Sequence, residues 1–222
     1  MPRLAKYPTT IPARVAGLCL LAALCLQPPA ASSEYVVEVP VLAAIRTNEN
    51  GVFEVMLLVW DQKPQPDPVE LLRFNGRVRL GAGNLESIDR AFAYAIERTP
   101  NVRHSGTVSV LAHAYRPAAS DGPSAGAAIA VGFVAMFKGE RLQRGIAVTG
   151  TFEPGGRIGP VGGIPDKMRA AAREGYRTIL VPRGQLYGPR WNLNQLALEL
   201  GVTVKEVDTV DEAYELMTRR SL

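Results

Sequence analysis

The stretch Asp121-Gly122-Pro123-Ser124-Ala125-Gly126 sets a serine in a tight turn directly before a run of small apolar residues. A serine there has two uses. It can cap the helix that the run predicts, its hydroxyl accepting a hydrogen bond from an unpaired backbone N–H. It can also be a nucleophile, because a helix N-terminus offers free N–H groups and partial positive charge to an oxyanion forming beside it. A serine nucleophile needs a base. The two histidines, His104 and His113, sit in no distinctive motif, and a triad of Ser124, His113 and Asp121 has no support from spacing. A lysine can serve instead, provided that desolvation brings its pKa down from about 10.4.

After residue 33 the chain carries four lysines: Lys63, Lys138, Lys167 and Lys205. Lys63 falls in a polar loop, Lys138 at the end of a helix, Lys205 in a late strand. Lys167 differs. It lies one turn into the helix predicted after a glycine-rich loop, where the helix dipole disfavours a cation. Ile164, Met168 and Ala171 can bury its stem, although a solvated surface lysine fits the same pattern.

The elements that must position these residues mix strands and helices from end to end. Residues 35–45 and 52–60 read as a β-hairpin across the turn signal "NENG". Residues 61–68 read as a proline-broken loop. A helix over 85–98, capped by Asn84 and stopped by Pro100, shows Leu85, Ile88, Phe92 and Ile96 on one face. Strands follow at 106–115 and 144–152, with a buried helix over 124–137 between them. The five-glycine stretch 153–163 predicts a tight loop or short hairpin. Helices at 164–174, 191–200 and 210–219 alternate with strands at 177–182 and 202–207, and Gly175 suits a helix C-terminus. One mixed α/β domain results.

The first thirty-three residues read differently. Arg3, Lys6 and Arg14 precede an apolar run, Val15 to Leu26, and then "QPPAASS", with no acidic residue before Glu34. That is the pattern of a secretory signal peptide over 1–33, cleaved between Ala30 and Ser33. Uncleaved, it would be an N-terminal membrane anchor, although twelve residues span only about 18 Å as helix. Its loss lowers the formal net charge from +4 to +1 and removes both cysteines, Cys19 and Cys25. The remaining chain offers no strongly basic surface for nucleic acid, no thiolate and no cysteine metal site. The expected location is the bacterial periplasm or the cell exterior. No G-x-x-x-x-G-K-[ST] motif is present, and "GRIGPVGG" lacks dinucleotide-binding spacing, so no ATP site is expected in these residues.

Four stretches, in order, resemble the proteolytic domain of Lon proteases: "DGPSAG" at 121–126, "VTG" at 148–150, "GRIGPVGGIPDKMRAAAREGYRTILVP" at 156–182 and "VDTVDEAYELM" at 207–217. The resemblance covers residues 106–217, and the preceding hairpin and helix fit the weaker start of that domain. It implies the Lon proteolytic-domain α/β fold as a single domain over 34–222. It implies a serine endopeptidase with a Ser124–Lys167 dyad, acting on polypeptides without metal or other cofactor. Thr149 matches the family threonine that contacts the lysine, and Asp121 lies beside the nucleophile. The backbone around Gly122 to Ala125 supplies oxyanion-hole candidates, Gly122 and Ala125 among them. Family members commonly form homo-oligomeric rings and fuse this domain to an ATPase; no ATPase motif occurs here, so an ATP-independent peptidase acting on unfolded or extended chains is expected. A non-catalytic envelope binding or scaffold protein on the same fold is the alternative. The sequence departs from the family at Thr151, where a glutamate is frequent, and at Ile164-Pro165 before the lysine.

Overall fold

Alternating apolar residues build the first layer. Strand β1 (Ser33–Ala44) pairs antiparallel with β2 (Gly51–Gln62), in a register that sets Val37 opposite Leu58, Val39 opposite Met56 and Val41 opposite Glu54. Directly opposed residues share a face, so this set turns one face inward, apolar except for the buried Glu54. The hairpin is longer than its alternation suggests, and Asp61 and Gln62 belong to β2 rather than to a loop. The computed structural model describes residues 33–44, 51–64, 67–74, 78–113, 118–120 and 122–222. Residues 1–32 of the expected signal segment and Asp121 lie outside the described residues, and Ser33 opens β1. Ser33–Leu222 is one compact unit.

Strand β3 (Glu70–Phe74) was not foreseen. It lies at the sheet edge, parallel to the strand that follows the first helix, β5 (Thr107–His113), giving the order β1-β2-β5-β3. Two three-residue strands, β4 (Val78–Leu80) and β6 (Ala118–Ser120), pair in parallel and are too short to show a period in sequence.

Helix α1 (Ala82–Arg98) begins earlier than expected. Its N-cap is Gly81, with no side-chain cap bond, and Asn84 is a buried first-turn residue whose N–H donates to the Gly81 carbonyl. β4 ends at Leu80, so the chain turns into helix at once and leaves no room for a cap at 84. Its inward face is centred on Ile88, Ala91 and Ala95, with Phe92 and Ile96 packed alongside.

Helix α2 (Gly126–Phe137) is buried along its whole length, as its lack of polar residues predicts. Gly132 makes the close approach to the hairpin: a Cβ there would lie 2.3 Å from a Val39 methyl. Phe137, at the far end, meets the Trp60 ring edge-on at 5.1 Å. The start of α2 therefore lies toward the Gly51 end of the hairpin.

The second layer is a parallel sheet, β13-β10-β7 (Thr203–Val207, Thr178–Pro182, Ile146–Val148). Helices α3 (Ile164–Arg173) and α4 (Leu193–Leu200) close a second apolar cluster over it through Ile164, Met168, Ile179 and Leu193. α4 starts two residues later than expected because Trp191 and Asn192 form β12, which pairs with β11 (Tyr187–Gly188). Asn192 then caps α4, and Thr209 caps α5 (Val210–Thr218).

The single strand expected over 144–152 is broken. β7 ends at Val148, and β8 (Thr151–Glu153) turns back through Pro154–Gly156 into β9 (Arg157–Gly159). Gly155 and Gly156 take φ of 74° and 78°, a backbone that side chains resist. The break at Thr149–Gly150 is where the candidate site is assembled.

Candidate active site

Ser124 sits at the centre of a 3-10 turn, Pro123–Ala125, that leads into α2. Its hydroxyl caps neither the turn nor the helix; the N-cap of α2 is Ala125. The helix-cap reading of this serine therefore fails, and the half-buried side chain is left to another purpose.

The turn is held through its backbone. The Ser124 carbonyl accepts the Gly150 N–H at 3.0 Å, and the Gly150 carbonyl accepts the Ala127 N–H at 3.1 Å. The Thr149 N–H donates to Leu180 on the central strand of the parallel sheet at 3.0 Å. Residues 149–150 thus tie the serine turn to the second layer. Two glycines make this closeness feasible. A Cβ on Gly126 would lie 2.8 Å from the Phe152 nitrogen, and one on Gly150 would lie 2.2 Å from an Ile158 methyl.

Lys167 is the fourth residue of α3, whose N-cap, Gly163, is left-handed with φ of 65°. Proline at the second helical position is compatible with such a start, since it lacks only an N–H that has no partner there. The lysine side chain is 2% exposed and Thr149 is fully buried. The ammonium-bearing Nζ donates to Thr149 Oγ1 at 3.1 Å, and the Thr149 hydroxyl is directed at the Ser124 carbonyl oxygen at 3.4 Å. Loss of hydration brings the Lys167 pKa from near 10.5 to about 8, with no acid among the described residues offsetting it. Roughly a tenth of the molecules then hold a neutral amine at pH 7.

The other lysines are placed differently. Lys63 and Lys205 are exposed. Lys138 ends α2, where it donates to the Ser221 carbonyl and lies over the Tyr214 ring. His104 is engaged elsewhere too. Thr99 Oγ1 donates to Ala95 O, so it accepts from His104 Nε2 at 2.7 Å. The His104 ring also packs on Phe137, at the end of α2 remote from Ser124, about 18 Å along a twelve-residue helix. His113 ends β5 and its side chain, like the whole of Asp121, lies outside the described residues.

Gly122 is extended, and a Cβ added to it would meet nothing within 4 Å, so open space borders the serine turn at Gly122, whereas Ala125, the other oxyanion-hole candidate, is buried. Gly51 was read only as part of a turn, yet it shapes the site. A Cβ there would lie 1.9 Å from the Asp166 carbonyl oxygen, so the start of β2 presses on the first turn of α3 beside Lys167. The turn signal around it gave no hint of that contact. Among the described residues no group of His, Cys, Asp and Glu converges to hold a metal ion.

A nucleophile candidate, a desolvated lysine and a hydroxyl between them suit acyl transfer. Comparison with known proteins agrees with that chemistry. The family model of the Lon protease (S16) C-terminal proteolytic domain matches residues 73–217. The chain is 35% identical over 111 residues to a Lon protease of Orientia tsutsugamushi, covering 48% of this chain and 14% of that protein. It is 32% identical over 145 residues to a Lon protease of Chloroflexus aurantiacus, covering 62% and 17%. A Lon protease of Elusimicrobium minutum shares 29% over 154 residues, covering 65% and 19%. The chain thus spans less than a fifth of the length of each of these relatives.

Proposed function

The chain belongs to the family of the Lon protease (S16) C-terminal proteolytic domain, a serine protease family, and from that premise we propose that it is an exported endopeptidase with a Ser124–Lys167 dyad. The observation that carries the reading is the burial of the Lys167 amine against Thr149. A lysine held this way is a base near neutral pH, and the contact ties the amine to the serine turn through Thr149.

In the proposed cycle Ser124 Oγ attacks the carbonyl carbon of the scissile bond while neutral Lys167 takes the hydroxyl proton. The tetrahedral oxyanion is met by backbone N–H groups of the Gly122–Ala125 turn. Lys167 returns its proton to the leaving amine, and the bond breaks to give an acyl-serine. Water then attacks that ester, with Lys167 again accepting and returning the proton. Thr149 orients the amine, and Asp121 shapes the turn before the nucleophile.

The substrates proposed are unfolded or extended polypeptides, cleaved without ATP, since no nucleotide-binding motif occurs in these residues. Residues 1–33 would direct export, and the domain would assemble as a homo-oligomeric ring. The test uses the purified protein with an unfolded polypeptide and no nucleotide, alongside Ser124→Ala and Lys167→Ala. Fragments from the parent and from neither variant support the dyad; equal cleavage by either variant overturns it. Absence of cleavage by a folded parent would favour the binding-protein alternative. Fusing residues 1–33 to a reporter active only outside the cytoplasm tests export separately.

A further inference from the structure

Helices α4 and α5 each begin on a side-chain cap, but α3, the helix that carries Lys167, has none. Its N-cap is the left-handed Gly163, preceded by Gly162, where an added Cβ would meet nothing within 4 Å. Two consecutive glycines do not hold a chain direction by themselves. The start of α3, and with it the lysine, must be located from a fixed point upstream.

That point is Val161. Its N–H donates to Gln185 Oε1 at 2.9 Å, and its carbonyl accepts from Gln185 Nε2 at 3.0 Å. One carboxamide thus pairs both backbone groups of a residue 24 positions away, as a residue on a neighbouring strand would. The Val161 side chain is buried in the second apolar cluster with Ile164 and Met168 of α3. From there the path to the base is short, since the Gly163 carbonyl accepts the Lys167 N–H at 3.1 Å.

The residue that makes this clamp is itself held. Gln185 follows the central strand β10 in a turn closed by its own N–H on the Pro182 carbonyl at 3.2 Å. On β13, one carboxylate oxygen of Glu206 accepts the N–H groups of Gly184 and Leu186, at 2.7 and 3.1 Å. The Trp191 indole donates to the Gln185 carbonyl at 3.1 Å. The backbone at 185 is therefore anchored to the parallel sheet, and the carboxamide carries that anchor across to the start of α3.

We propose that Gln185 is a positioning residue for Lys167, fixing the start of α3 through Val161 so that the amine stays against Thr149 and away from water. The inference rests on the lysine-base reading, but its first test needs no turnover. Lysine labelled with carbon-13 at Cε is titrated by NMR in the purified protein, and Lys167→Met identifies the Lys167 signal. Asp166, the preceding residue, pairs with Arg169, so the titration midpoint reports chiefly how well the amine is hydrated. Gln185→Met keeps the length of the side chain and loses both bonds to Val161. It should raise the Lys167 midpoint by about one pH unit, toward the ordinary lysine value. At pH 7 kcat should then fall about tenfold with KM little changed, because the neutral amine is rarer. Gln185→Glu, which can still accept from the Val161 N–H but cannot donate to its carbonyl, should give a smaller shift, and it serves as the test if the Met variant does not fold. Trp191→Phe removes a bond to the same loop and leaves the carboxamide in place; it should lower stability without moving the midpoint. A parent midpoint near 8 that neither Gln185 variant moves overturns this proposal alone. So does a shift in Trp191→Phe as large as in Gln185→Met, which would make the order of the whole loop the cause. A parent in which Lys167 titrates at the ordinary lysine value overturns the lysine-base reading, and this proposal with it.

Discussion

Lys167 Nζ and Thr149 Oγ1 are 3.1 Å apart inside the protein, the lysine 2% exposed and the threonine fully buried. The threonine oxygen accepts an N–H from the ammonium and from the neutral amine alike, so the contact survives deprotonation and leaves the amine lone pair free. It also spends the threonine's remaining capacity on the Ser124 carbonyl, linking base and nucleophile turn through one side chain.

The first consequence is a pH dependence. With its pKa lowered to about 8 by burial, Lys167 gains its base form progressively as pH rises through 8. Peptide cleavage, measured as kcat/KM, should rise about tenfold per pH unit between pH 6 and 7 and level off above pH 8.5. A flat profile over pH 6 to 9 would be incompatible with Lys167 as the base.

The same burial costs stability. The folded protein disfavours the charged lysine, so below pH 8 the unfolded chain binds a proton that the folded one holds less tightly. The penalty is about 3 kcal/mol at pH 7 and disappears as pH rises from about 8 to 10.5. Lys167→Met should therefore abolish cleavage and raise the denaturation midpoint at pH 7, with the gain shrinking above pH 8. The lost bond to Thr149 will offset part of it, by about 1 kcal/mol. A Met variant less stable than the parent at pH 7 would show that the ammonium is better solvated than its burial implies.

Thr149 is tested by its two conservative replacements. Thr149→Ser keeps the hydroxyl and should keep most of the activity. Thr149→Val keeps the shape, frees the amine to rotate, and should lower kcat roughly tenfold to a hundredfold with little change in KM. The apparent pKa of the profile should also move in the Val variant, a shift that a purely structural role for the residue does not produce.

The comparison of sequence and structure divides along physical lines. The hairpin, α2, α3 and the strands β10 and β13 carry clear apolar patterns, and each lies within two residues of where those patterns put it, whereas β7 is only the first part of the strand expected over 144–152. Ser124 and Lys167 stood out because a hydroxyl in a Gly-Pro turn and a cation at a helix start are locally unusual. Local sequence left the cap reading of Ser124 open; only the geometry of Ala125 and Gly126 removes it. The edge strand β3 and the pair β4–β6 were missed because their order comes from pairing with distant partners. Asn84 misled because a cap depends on where the preceding strand ends. Gly51 gave no signal at all, since the close contact it permits is with a helix more than a hundred residues away.

That contact yields the last prediction. A methyl group at Gly51 would lie 1.9 Å from the Asp166 carbonyl oxygen and 2.9 Å from the Lys167 amide nitrogen, both backbone atoms that no rotamer change can move. Either the start of β2 or the first turn of α3 must shift. Gly51→Ala should therefore cost about 1–3 kcal/mol, the usual range for overpacking. Because Lys167 rides on that turn, activity should fall by more than the unfolded fraction explains, approaching a hundredfold for a displacement near 1 Å. Denaturant titration gives the first quantity, and kcat measured well below the transition gives the second. Lowered stability with full activity would mean that β2 yields and α3 stays, which would place the rigid reference for the lysine in the parallel sheet rather than in the hairpin.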